Sequence, residues 1–125
     1  MENSTTTQKI IGCAFKIYKK MGFDFLESVY EKCLLIELSK AGFHVESQVP
    51  ITVYYDYEIV EYFVSDILVE DEIIIELKSI LKLLKIHEIQ LVNYLVATRK
   101  DIGILLNFSQ DKVEIKRKIR RLSYL

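Results

Sequence analysis

The stretch from Asp66 to Lys78, D-I-L-V-E-D-E-I-I-I-E-L-K, limits what this chain can fold into more than any other. Two apolar runs flank a short acidic turn, and Asp66, Glu76 and Lys78 interrupt surfaces that otherwise read as buried. Ile73, Ile74 and Ile75 are apolar on both faces, as expected of a central strand covered on each side. Desolvating an unpaired carboxylate or ammonium costs an appreciable part of a small domain's stability, so these charges require compensation. One reading is a solvated face with a cross-strand ion pair between Lys78 and a carboxylate. The other is a divalent-metal site: two carboxylates and the carbonyl of Leu77 supply hard oxygen ligands, and the ammonium holds a phosphate or positions a water.

The hairpin register separates these readings. A two-residue turn at Glu70-Asp71 would set Asp66 opposite Ile75 and place the two carboxylates on opposite faces, where they could share no cation. A three-residue loop, Glu70 to Glu72, sets Asp66 opposite Glu76 with Lys78 two residues on. The metal reading therefore predicts the odd-length loop.

Around this hairpin the chain reads α-α-β-β-β-α-β. Apolar residues at helical spacing from about Thr6 to Met21 predict a first helix. A second runs from Asp24 to about Ala41 and stops at Gly42. Asp24-x-x-Glu27 has the form of a capping box, with Glu27 reaching back to the amide of the cap residue. Alternation then predicts strands over 47–55, 60–69 and 73–79, with Pro50 favouring an edge. A third helix follows over about Leu83 to Thr98, with Ile86, Ile89, Leu91, Val92, Leu95 and Val96 as its buried surface and His87, Gln90 and Tyr94 on another ridge. Ile102 to Phe108 is a further strand. The segment 112–125 is basic, a terminal strand or short helix with either a solvated cationic face or a phosphate-contacting role.

Asp66, nine intervening residues and then Glu76-Leu77-Lys78 resembles the signature of the PD-(D/E)XK nuclease superfamily. F-L-E-S-V-Y-E-K (25–32), H-E-I-Q-L-V-N-Y-L (87–95) and G-I-L-L-N-F (103–108) resemble, in the same order, its GxxExxY protein family, so the likeness runs from about Ile10 to Phe108. Where the name of that family calls for glycine, this chain has Asp24. The resemblance implies a single domain of α/β class, a mixed sheet with a restriction-endonuclease-like core. It implies a magnesium- or manganese-dependent nuclease in DNA or RNA processing or defence, with Asp66, Glu76 and the Leu77 carbonyl as metal ligands. Lys78 would orient or deprotonate the attacking water, and Glu27 and Gln90 would complete the set. Tyr30, His87 and Tyr94 would stand near the metal or the substrate. For His87 a local hydrogen bond at the helix start is the competing reading, and for Tyr30 a place in the core.

At 125 residues, 50% hydrophobic, the chain fits one core. No apolar run is long enough to span a bilayer and the first residues lack a signal-peptide pattern, so a cytoplasmic protein is expected. Cys13 and Cys33 have no zinc-ligand spacing and read as free thiols. A net charge of −1 gives no global case for nucleic acid, but its distribution is uneven. Residues 56–76 hold eight acids and no base, whereas residues 112–121 hold six bases and Glu114 alone. The expected partner is nucleic acid, with DNA favoured, and a homodimer would supply two sites to a duplex. The alternative is a catalytically silent nucleic-acid- or protein-binding module that keeps the nuclease fold.

Overall fold

A computed structural model describes residues 2–120. Its elements are α1 (Glu2–Met21), α2 (Glu27–Lys40), β1 (Val45–Tyr55), β2 (Glu58–Val69), β3 (Ile73–Lys78), α3 (Lys85–Thr98), β4 (Ile102–Phe108) and β5 (Val113–Ile119). The seven expected elements are present in the expected order, and the basic segment resolves into an eighth, the strand β5. Residues 121–125, the end of that segment, lie outside the described residues.

The five strands form one sheet in the order β1-β2-β3-β4-β5. Only β3 and β4 run parallel, joined by the crossover helix α3; the other neighbours are antiparallel. Helices α1 and α2 cover one face, packing Ile10, Ala14, Leu34 and Leu38 on Ile67, Ile73, Ile75 and Leu106. Helix α3 covers the other, packing Leu91, Tyr94 and Leu95 on Ile51, Leu68, Ile74 and Leu105. Cover on both sides explains why Ile73 to Leu77 are buried without alternation. Helix and sheet approach so closely at Gly103 that a Cβ there would lie 2.8 Å from Leu91 Cδ1. Pro50 stands, as expected, on an edge strand.

Two expectations fail. Asp24 is not a helix cap: its φ of 80° turns the chain too early, Leu26 occupies the cap position, and no side chain caps the helix. Glu27 instead becomes the first residue of α2, where a carboxylate complements the helix dipole. On α3, Ile86, Ile89 and Val96 are 60%, 45% and 54% exposed, although apolar periodicity marked them as buried. The helix carries apolar residues on more than one side, and the sheet covers only one of them.

Candidate active site

The loop at the β2–β3 hairpin is the three-residue one. Val69 pairs with Ile73, Leu68 with Ile74 and Ile67 with Ile75, a register that, extended by one step, would set Asp66 opposite Glu76. Glu70 and Asp71 take φ near +55°, and the Glu72 amide donates to the Val69 carbonyl at 3.0 Å. Beyond Ile67 and Ile75 main-chain pairing between the strands stops, and side chains take over. The Asp66 amide donates to Glu76 Oε2 at 3.1 Å, and the Leu77 amide donates to Asp66 Oδ2 at 2.8 Å. The N–H and C=O of a strand residue point to the same edge, so the Leu77 carbonyl also faces this split.

Both carboxyls are costly to ionise. Glu76 is buried, and burial, followed by the charge of Asp66, pushes its carboxyl up from the ordinary 4.5 to about 8. Asp66 is likewise raised by burial, against the pull of the Leu77 amide, Lys78 and Gln48. The positive charge of Lys78 lowers Asp66, Glu76 and Glu27, yet it does not offset their desolvation. Such a pair is complementary to a cation stronger than one ammonium. The donor set suits magnesium or manganese: two carboxylates, each committing one oxygen to a main-chain amide, and a carbonyl aimed at the same split. Among the described residues no group of three or more His, Cys, Asp or Glu side chains is gathered for a metal, so this set depends on the carbonyl and on water or substrate oxygens.

A comparison with family models matches residues 4–122 to the PD-(D/E)XK nuclease superfamily. The chain belongs to that superfamily. Its fold is restriction-endonuclease-like: the solved structure titled "Crystal structure of SSO0001" superposes with a TM-score of 0.62 at 19% identity. That alignment covers 77% of this chain and 50% of the other, so the chain spans about half the length of that protein. No curated protein matches.

Around the PD-(D/E)XK hairpin, α2 contributes Glu27 and, one turn on, Glu31. Burial raises the carboxyls of both, and Asp66 raises them further. Gln48 of β1, itself at φ 54°, donates from Nε2 to both Glu31 oxygens at 3.0 Å and also favours ionised Asp66. Neither Glu31 nor Gln48 is singled out by sequence reasoning. Glu31 was within reach of it, since i and i+4 share a helix face with Glu27. Gln48 carries no signal in the sequence.

From α3, Tyr94 is buried against Phe63 with ring centroids 5.3 Å apart. Burial, then the charges of Glu76 and Asp66, push its hydroxyl up to about 12. Gln90 lies half-buried one turn earlier on the same ridge. His87 follows its local reading, its Nδ1 accepting from the Leu84 amide at 2.9 Å. Tyr30 is fully buried and stacks on Phe108 at 4.2 Å. Its hydroxyl donates to the Gly22 carbonyl at 2.6 Å and accepts from the Phe25 amide at 3.4 Å. Tyr30 thus fastens the turn that delivers Glu27. The loop after Lys78 is held by Asn107, which accepts from the Ile80 amide at 2.9 Å and donates to Ile80 O at 3.0 Å and Glu114 Oε1 at 2.7 Å.

Proposed function

We propose that the chain is a GxxExxY-type nuclease that hydrolyses nucleic-acid phosphodiester bonds with magnesium or manganese. The observation that carries this reading is the buried pair Asp66 and Glu76 at the split between β2 and β3. These two residues and the Leu77 carbonyl would hold the cation, which would supply Lewis-acid polarisation of the scissile phosphate. Lys78 stands two residues from Glu76, so its ammonium is available to orient the attacking water and to stabilise charge developing on the phosphoryl oxygens. Gln48 of β1 favours ionised Asp66, Glu27 and Glu31 add carboxylate oxygens from α2 that would hold the cation or its waters, and Gln90 and Tyr94 line the α3 side.

Basic residues of β5 contribute contacts to the substrate backbone. Lys118 and Arg120 are engaged with Glu88 and Asp101, whereas Lys116 and Arg117 are exposed. DNA is the favoured substrate.

The test is cleavage of labelled single-stranded, duplex and branched DNA and RNA with manganese, comparing the parent with Lys78→Ala. The expected outcome is cleavage by the parent and a loss of at least about 100-fold in the variant, which still folds and binds manganese in calorimetry. Equal cleavage by both removes Lys78 from the mechanism. Nucleic-acid binding that is indifferent to magnesium and leads to no cleavage supports the silent module instead.

A further inference from the structure

We propose that the outer face of α3, together with the β1–β2 hairpin, is the two-fold interface of a homodimer. Ile86, Ile89, Asn93 and Val96 are exposed at helical spacing on the side of α3 turned away from the sheet. From Ile86 to Thr98 the only charged residue is Glu88, which is paired with Lys118 at 2.5 Å. A surface helix ordinarily turns a charged face to water, and one that is apolar on both sides is ordinarily covered on both.

The apolar surface continues beyond the helix. A cleft of about 500 Å³ joins Asn93 and Val96 to Val53, Tyr54 and Phe63 of the hairpin. The hairpin is uncovered on both faces, with Tyr54, Tyr55, Tyr57 and Tyr62 each at least 62% exposed. Ile86, Ile89, Val96 and Tyr54 alone expose on the order of 400 Å², about half of what each partner of a stable complex buries, and the hairpin face that carries Tyr54 extends that surface.

The chemistry selects the occupant. The hairpin carries Asp56, Glu58 and Glu61 and no base, so it repels phosphate and is not a nucleic-acid surface. An uncharged helix stripe tolerates its own copy without like-charge clash, as an isologous interface requires. With the axis at Asn93, two antiparallel α3 helices set Ile89 of one copy against Val96 and Ala97 of the other, with Ile86 about two turns from the axis, beside the end of the partner helix. The Asn93 carboxamide, both donor and acceptor, can pair with its counterpart across the axis.

The experiment is sedimentation equilibrium of the full chain without nucleic acid, with Ile89→Asp and Asn93→Arg as interface variants and Ile36→Asp, exposed on α2 at the opposite sheet face, as control. Each variant is first checked for a native circular dichroism spectrum and thermal transition. The parent and the control should sediment at twice the 14.7 kDa chain mass. Both interface variants should weaken association by about 100-fold or more, because each sets buried charge against its own copy. Should one variant fail to fold, the other decides. A parent that stays monomeric up to about 100 μM, or a dimer that persists in the folded interface variants, overturns the proposal.

Discussion

Replacing Glu76 with glutamine removes a titration that the fold makes expensive. The Glu76 carboxyl is moved from its ordinary 4.5 to about 8 in the folded chain. Between those values the unfolded chain has released the proton and the folded chain still holds it. Stability therefore falls with rising pH, at about 1.4 kcal/mol per pH unit. Across the whole window the loss is on the order of 5 kcal/mol, a large part of a small domain's margin, and water entry or local relaxation would reduce it. Glutamine keeps an oxygen for the Asp66 amide and has no charge to desolvate. Urea unfolding of the parent, followed by circular dichroism from pH 5 to pH 8.5, should show a midpoint that drops steadily. The Glu76→Gln variant should fall more shallowly, keeping only the slope left by the raised carboxyls of Asp66, Glu27 and Glu31, and should be the more stable of the two at pH 8.5. Manganese at pH 8 should recover the parent by about 2.7 kcal/mol at one hundred times its dissociation constant and leave the variant unmoved. A parent profile that is flat, or that glutamine does not alter, would refute the electrostatic account of this site.

Two further substitutions test the α1–α2 turn, both read by denaturant midpoint. Asp24 sits at φ 80° with an exposed side chain, in a conformation that favours glycine, so Asp24→Gly should stabilise the chain by about 0.5–1 kcal/mol; a loss would show that its side chain matters more than its backbone. Tyr30→Phe keeps the stack on Phe108 but strands the Gly22 carbonyl, and should cost about 1–2 kcal/mol with metal affinity unchanged. A large loss of manganese binding without loss of stability would move Tyr30 from support of the turn to the site itself.

Much of this was legible in the sequence because it rests on periodicity and loop arithmetic. The element order, the edge position of β1 and the three-residue hairpin loop follow from alternation, from Pro50 and from the demand that Asp66 and Glu76 share a side. What escaped depends on contacts between residues far apart in the chain. Gln48 meets Glu31 across 17 positions and Asn107 meets Ile80 across 27, and no local pattern announces either. The capping box at Asp24 failed for another reason. A motif match ignores φ, and here Asp24 adopts a left-handed turn that glycine would take without strain. The stripe expected on α3 holds at Leu91 and Leu95 and fails at Ile86, Ile89 and Val96, because apolar residues recur around more of the helix than the one side that the sheet covers.

The split between β2 and β3 ties stability and chemistry to the same atoms, and this decides how the site should be probed. Where the ladder ends, the Asp66 and Leu77 amides lose their strand partners, and the carboxylates of Glu76 and Asp66 take their place. Alanine at either position would remove a proposed ligand oxygen and also leave a main-chain amide unsatisfied, at about 1–3 kcal/mol. A loss of manganese binding in an alanine variant would thus confound the absent charge with a rearranged split. Asp66→Asn and Glu76→Gln keep an oxygen acceptor for each amide while cancelling the charge. If the carboxylates act by binding a cation, the amide variants should fold at least as stably as the parent at pH 8 and still lose the metal. If they act only as replacements for the ladder, the amide variants should be indistinguishable from the parent and the alanine variants alone should fail.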